Sequence, residues 1–280
     1  MHQQFDKNPH RFRAIRFATC MIFILAMAVL PSSVPADSLD GRKIIDEVSD
    51  RHDRAFEFEV QKMTLVSKDG SQEVRQIKRY KRDVEEGSRV LLVFTEPAGV
   101  KGTALLTWEN DAKDDDQWLY LPAVGDMKRI AEGGKRNYFM GTDYTYEDLT
   151  SESREKFTYT READAAFNEQ DCYVVKAVAK DPKLIKETGY KSRTIWVRKD
   201  NFVIVRTDYM DRRGRPIKTQ THEQLQQVEG DLWRANVSIM KNTRKKHITA
   251  IQTLSRSFEE NDVPTQNFTS RFITSGKHVR

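Results

Sequence analysis

From residue 56 onward, apolar and polar residues alternate with a period of two, the pattern of strands that bury one face. The alternation begins at Phe56 and ends near Phe258, and turn residues such as Lys68-Asp69-Gly70 divide it into short segments. The pattern predicts about ten to twelve strands, at the spacing typical of a sandwich or a barrel.

Helical periodicity appears at only three places. Residues 41–52 carry one apolar stripe, and Asp40 before them is a suitable N-cap. Residues 141–153 interrupt the alternation and predict a turn followed by one or two helical turns. The C-terminal tail has apolar residues at helical spacing: Phe268, Phe272 and Ile273.

The predicted fold class is mainly β, a large, strongly bent antiparallel sheet with a few short helices to cover it. Residues 91–94 and 118–121 are apolar on both strand faces, although no long helix is available to bury two faces. A half-closed barrel whose inner face lines a cavity explains this pattern. Packing of two sheets as a sandwich explains it equally well, and both alternatives stay open on the pattern alone.

The N-terminus predicts a cleavable export signal over residues 1–36. Three arginines, at positions 11, 13 and 16, precede the uncharged apolar run 17–30. This run is too short to span a bilayer core of about 30 Å. Val34-Pro35-Ala36 suits signal peptidase, so we expect cleavage before Asp37 and a single domain over residues 37–280. Cys20 lacks the surrounding pattern of a lipidation signal, so we expect no lipid anchor.

Removal of this signal changes the charge and the cysteine count. The basic and acidic residues fall from 47 and 42 to 43 and 41, so the formal net charge falls from +5 to +2. The sequence pI of about 9.0 is therefore a poor indication of nucleic-acid binding. Only Cys172 remains, so we expect no internal disulfide, and burial alone must hold the fold together.

Candidate chemistry is sparse. No remaining histidine has metal-ligand spacing to another histidine or to Cys172, and we interpret Cys172 as a packed thiol. The aspartates at positions 111 and 114–116 suggest calcium or a solvated hairpin tip, and the lack of the usual glycine and distal glutamate favours the tip. The basic residues at 241 and 244–246 suggest a solvated sheet edge more than a contact with lipid head groups. We therefore predict no metal, no cofactor and no enzyme activity.

Several segments, in the right order between Gly41 and Phe272, resemble the outer-membrane lipoprotein-sorting (LolA-like) family. Any one of them alone is a weak signal, and together they are fairly specific. The segments are Phe94–Pro97, Lys101–Leu106, Asp116–Pro122, Met127–Ile130, Met140–Leu149, Trp196–Asn201 and Tyr209–Gly214.

The resemblance implies a half-open β-barrel with helices at its mouth, located in the periplasm of a Gram-negative bacterium. It implies apolar cargo, typically the acyl chains of lipoproteins, and no cofactor. Members with this version of the signature are associated with inner-membrane transporters of the resistance-nodulation-division (RND) type, so such a transporter is a candidate partner. We expect a monomer that binds no nucleic acid.

An apolar cavity would shield acyl chains, since each methylene buried from water is worth about 0.8 kcal/mol. Apolar and aromatic side chains on the predicted strands are the candidate lining, with ordinary core packing as the alternative for each. The candidate lining residues are Leu92, Phe94, Leu106, Trp108, Trp118, Tyr120 and Trp196.

Residues 141–153 are the candidate lid over this cavity, and Gly141 and Tyr144 belong to it. Asp148 either anchors the lid by pairing with Arg129 or caps the lid locally, and the local cap is favoured. Three functions compete. The first is a carrier of lipid or lipoprotein acyl chains, and the second is a binding or sensing module that engages a transporter or another protein without cargo. An exported hydrolase comes last.

Overall fold

Fourteen strands form one antiparallel sheet in the computed structural model, which describes residues 39–279. The predicted export signal lies outside these residues. The strands are β1 (Phe56–Val66), β2 (Gln72–Val84), β3 (Gly87–Glu96), β4 (Ala104–Asn110), β5 (Asp116–Tyr120), β6 (Met127–Arg129), β7 (Phe157–Arg161), β8 (Ala165–Phe167), β9 (Gln170–Ala179), β10 (Tyr190–Arg198), β11 (Ile204–Asp211), β12 (Pro216–Glu229), β13 (Leu232–Asn242) and β14 (His247–Ser257).

The sheet is a meander joined in its middle by the pairing of β1 with β14, where Met63 lies opposite Ile251. The strand order is β6-β5-β4-β3-β2-β1-β14-β13-β12-β11-β10-β9-β7, and β8 pairs with β9 outside this path. The edges β6 and β7 do not pair, so the bent sheet stays open. The predicted fold class, mainly β with a half-open sheet and short helices, is confirmed.

Within residues 39–279, three α-helices accompany the sheet: α1 (Gly41–His52), α2 (Pro182–Thr188) and α3 (Ser270–Thr274). The helix α1 spans the predicted residues, and the Asp40 carboxylate accepts a hydrogen bond from Lys43 N at 2.8 Å, as an N-cap does. Single 3₁₀ turns occur at Glu132–Gly134, Glu147–Leu149, Arg154–Lys156, Glu260–Asp262, Thr265–Phe268 and Lys277–Val279. Within the described part of the chain, no helix is both long and apolar enough to cross a bilayer.

The two faces of the sheet are buried by different segments. At one end α1 packs through Ile44 and Ile45 against strands β7, β9 and β10. At the other end the C-terminal segment, with Val263, Phe268 and Ile273, packs on the outer face of β3, β4 and β5. The connection between β6 and β7 crosses the inner, concave face, and we call residues 131–156 the cover segment.

Candidate functional site

The concave face changes character from apolar to polar between its two ends. On the apolar part, Phe94 and Phe139 are fully buried and stack with ring centroids 5.6 Å apart. Tyr146 meets Phe139 edge to face, also at 5.6 Å. Because Phe139 and Tyr146 belong to the cover segment, the protein itself fills this part of the half-barrel.

Asp143 attaches the cover segment to the sheet at β14. Its carboxylate lies 2.6 Å from His247 Nδ1 and accepts a hydrogen bond from Thr249 Oγ1 at 2.9 Å. Its backbone N–H donates to the same hydroxyl at 2.9 Å. Asp143 and Thr249 are both fully buried, so bulk water does not compete for the hydrogen bonds between them.

Asp148 forms a second attachment, to β12, through a buried ion pair with Lys218. The two side chains are 2% and 0% exposed. The same carboxylate accepts bonds from Thr145 N at 2.6 Å and from Tyr190 Oη at 3.1 Å. Burial lowers the pKa of Lys218, and the attraction of Asp148 opposes that shift. Burial, together with the nearby Asp148 charge, raises the pKa of Tyr190.

A cavity of about 370 Å³ lies between the cover segment and the concave face. One wall is apolar: Val90, Leu92, Leu105, Leu149 and Ile251. Another part of the wall carries uncharged hydrogen-bonding side chains, including Tyr144, Gln220, His222 and Ser238. Tyr144 Oη and Gln220 Nε2 lie 3.0 and 3.1 Å from Ser238 Oγ, so these groups already form one local network.

Charged residues of β1, β2, β13 and β14 form the third side of this cavity. Glu57 accepts from Arg234 Nε at 2.8 Å and lies 3.3 Å from Arg256 Nε. Glu59 pairs with Arg256 Nη2 at 2.7 Å and with Arg79 Nη1 at 3.4 Å. Burial alone would raise the pKa of Glu57, but the charges of Arg79 and Arg234 outweigh burial and lower it. Glu57 is therefore held in its charged form, and the network is internally paired.

Glu109 lies between this cavity and a larger polar groove of about 1080 Å³, and it lines both. The groove runs between α1, the turn that follows β4 and the end of the cover segment. Glu109 accepts from Ser88 Oγ and from Ser151 N, both at 2.6 Å. Ser151 also lines both spaces, so these two residues mark the passage from the cavity towards solvent.

Comparison with known proteins identifies the fold and the family. The sequence profile of a family described as "Uncharacterized protein" matches residues 86–275, more than half of the chain. A crystal structure from Vibrio parahaemolyticus, described as an outer-membrane lipoprotein-sorting protein domain, is 29% identical with a TM-score of 0.78. That comparison covers 84% of this chain and 98% of the other. The chain belongs to the family of this profile, and it shares the fold of the lipoprotein-sorting domain and of LolA-like proteins.

Two further structures share the fold of this LolA-like domain. A DUF1329 family protein from Desulfovibrio piger is 24% identical with a TM-score of 0.77, over 83% of this chain and 97% of the other. A LolA superfamily protein from Nitrosomonas europaea is 17% identical with a TM-score of 0.66, over 84% and 100%. A search of curated protein sequences finds no match. The family resemblance read from the sequence segments is confirmed.

The concave face of the LolA-like domain holds two of the seven predicted lining residues. Leu92 lines the cavity. Phe94 shares its face but lies under Phe139, with the Arg75 guanidinium 5.5 Å from its ring. Phe94 is therefore core in this arrangement, and it would meet a ligand only if the cover segment moved.

The other five predicted lining residues point to the convex face, away from the cavity. Trp108 and Trp118 pack edge to face at 5.0 Å, and Tyr120 meets His278 at 5.4 Å. Trp196 lies under the guanidinium of Arg206 at 4.6 Å. Leu106 packs with the C-terminal segment. The reason is strand parity: Leu105 and Thr107 of β4 face the cavity, so Leu106 and Trp108 face outward.

The candidate lid residues differ in position. Arg129 pairs with Asp116, with Nε 3.0 Å from Oδ1, so the suggested pairing of Arg129 with Asp148 is wrong. Gly141 adopts φ +78° in the turn of the cover segment, a conformation that favours glycine. Asp148 makes the favoured local bond to Thr145 and, in addition, the ion pair with Lys218 that the sequence does not predict.

The remaining chemical candidates occupy ordinary structural positions. Cys172 is buried, and its thiol lies 3.4 Å from Gln170 O. Asp114 and Asp115 are engaged separately, by Lys156 Nζ at 2.5 Å and by Asn110 N at 3.0 Å. Among residues 39–279, no three histidine, cysteine or carboxylate side chains are grouped to hold a metal ion. These two aspartates therefore form separate local contacts at a hairpin tip.

Proposed function

We propose that this protein is a periplasmic carrier that binds lipid or lipoprotein acyl chains beneath its cover segment and transfers them towards the outer membrane. The observation that carries the proposal is the cavity of about 370 Å³ between the concave face and a discrete, tethered cover segment. The similarity to the lipoprotein-sorting protein domain of Vibrio parahaemolyticus supports the same role. The protein binds its ligand without covalent chemistry.

The cover segment suits such a role because its attachments and its apolar contacts are separate. Asp143 and Asp148 tie it to β14 and β12 through polar bonds. Phe139 and Tyr146, on the apolar part, occupy the space that a longer acyl chain needs. In the proposal these two rings swing out when a chain enters, while the polar attachments hold the segment in place. The partner that loads or receives the cargo is an inner-membrane RND-type transporter, and the carrier works as a monomer.

A binding or sensing module without cargo is the second candidate. The filled apolar part of the concave face favours this alternative, because the rings of Phe94, Phe139 and Tyr146 already pack against one another. The charged wall with Glu57 and Glu59 is likewise paired without a ligand. On this alternative the protein engages a transporter or another protein through its surface, and the cavity stays empty.

Uptake of fluorescent acyl-chain probes, one a fatty acid and one its uncharged glycerol ester, together with lipid extraction from protein purified from its native host, separates the two candidates. The carrier proposal predicts a co-purifying lipid in near-stoichiometric amount and saturable uptake of at least one probe. A protein that is empty and takes up neither probe contradicts the carrier and leaves the module. The variant Leu92→Asp should reduce uptake, because Leu92 lines the cavity. Val124→Asp, at a side chain 48% exposed, is its control.

A further inference from the structure

The cavity beneath the cover segment is amphipathic and carries no surplus charge. Three arginines and four carboxylates line it. The fourth carboxylate, Asp148, is neutralised from behind by Lys218, which does not line the cavity. The charges therefore balance within the site. The lining arginines are Arg79, Arg234 and Arg256, and the lining carboxylates are Glu57, Glu59, Glu109 and Asp148.

Each charged group is also satisfied by protein partners. Glu59 accepts from Gln61 Nε2 at 2.9 Å as well as from Arg256 and Arg79. Arg256 additionally donates to Ala235 O at 3.2 Å. An anionic head group would have to compete with carboxylates for arginines, and a cationic one with arginines for carboxylates. In a partly desolvated site either exchange costs free energy, because it leaves a displaced charge without its partner.

The uncharged wall differs from the charged one, because a ligand can form hydrogen bonds with it without breaking an ion pair. His222 on β12 lies opposite Ser238 on β13, and both line the cavity. The imidazole of His222 has no hydrogen-bond partner among residues 39–279, and burial lowers its pKa to about 4, so it is neutral at pH 7. A neutral imidazole can both donate and accept a hydrogen bond. Tyr144 and Gln220 extend the same wall.

We infer that the cavity selects a neutral amphiphile, a molecule with an apolar body and an uncharged hydroxyl, ester or amide head. The head bonds to His222 and Ser238, and the apolar body packs on Leu92 and Leu105 in the same cavity. This inference rests on the proposed carrier function and names its ligand class. It distinguishes the site from one that binds phospholipids or free fatty acids by their charge.

Isothermal titration of the full mature protein at pH 7.5 with three probes of equal chain length tests the inference. The probes are monolauroylglycerol, laurate and dodecyltrimethylammonium, which carry a neutral, an anionic and a cationic head. The expected result is an affinity for monolauroylglycerol at least about tenfold higher than for either charged probe. Equal or tighter binding of laurate overturns the inference and leaves the carrier function intact. Failure of all three probes to bind contradicts both.

Two variants locate the selectivity. Ser238→Leu removes a polar group of the uncharged wall and should weaken monolauroylglycerol binding about tenfold. Ser255→Leu makes the same change at an exposed site outside the cavity lining and should leave binding unchanged. Glu59→Gln leaves a surplus positive charge in the cavity and should shift the affinity ratio towards laurate about tenfold. If Glu59→Gln folds, as judged by circular dichroism, and the ratio does not move, charge balance is not what selects the ligand.

Discussion

Lys218 on β12 and Asp148 in the cover segment form an ion pair in which both side chains are buried. Lys218 Nζ also donates to Asp143 O at 3.1 Å, so one ammonium group joins both attachment points of the segment. Seventy residues separate the two partners in sequence. The pair therefore fixes where the cover segment crosses the sheet, and with it the height of the cavity.

Lys218→Met should destabilise the protein by about 3–5 kcal/mol, because it leaves the Asp148 carboxylate buried without its counter-charge. Chemical denaturation followed by circular dichroism measures this change. Lys241→Met is the matched control, since Lys241 is exposed on the neighbouring strand and should change stability by less than about 0.5 kcal/mol. Equal effects of the two substitutions would show that the pair does not hold the cover segment.

Thr249→Val should loosen the cover segment more than the sheet. The substitution keeps the shape of the side chain but removes two hydrogen bonds to Asp143, at a cost of about 1–3 kcal/mol. Hydrogen exchange should accelerate across residues 139–149. Thr64→Val, on the partner strand β1, is the control and should leave this exchange unchanged. Uniform acceleration across the sheet, with none specific to residues 139–149, would contradict the assigned attachment.

Trp118→Ala should reduce stability by about 1–3 kcal/mol, less than at a fully buried tryptophan because Trp118 is only partly buried, without changing ligand affinity. Trp118 packs on Trp108 on the convex face, outside the cavity. Leu92→Ala provides the contrast, because Leu92 lines the cavity and should weaken ligand binding. Fluorescent-ligand titration of both folded variants measures the difference. Loss of binding in the Trp118 variant alone would show that Trp118 belongs to the ligand site.

His222 should make stability depend on pH between its ordinary pKa of 6.5 and its folded pKa of about 4. In this window the unfolded chain binds more protons, so the free energy of unfolding falls as the pH falls, and it levels off below pH 4. The loss is at most about 3 kcal/mol, and less where cavity water solvates the imidazolium. His222→Gln should remove this part of the pH dependence. Parallel stability curves for the two proteins between pH 4 and 6.5 would contradict it.

Local periodicity predicts much of this fold. The strands and α1 with its N-cap can be predicted because buried positions repeat regularly within each short segment, every second residue in a strand and every third or fourth in a helix. The helix α2 is missed, although Asp181 before Pro182, and Gly189 at the end, are standard helix boundary residues. Their signal is short, and a strand-rich context on both sides hides it.

The cavity could not be predicted in the same way. Glu57, Glu59 and Arg79 alternate like a solvated strand face, and only the pairing of β1 with β2 and β14 places them together inside. On β4 and β5 both faces are apolar, so parity alone cannot say which one faces the cavity. The C-terminal segment buries the face with Leu106 and Trp118, and that contact is a property of the tertiary fold.

Native mass spectrometry of the protein purified from its native host tests the central claim, that the space beneath the cover segment holds cargo. Wild type should carry a small amphiphile in near-stoichiometric amount. Ser238→Trp, which fills the cavity, should release it, while Ser255→Trp on the exposed surface should retain it. Wild-type protein that is empty, or cargo that persists in a folded Ser238→Trp variant, would contradict the account.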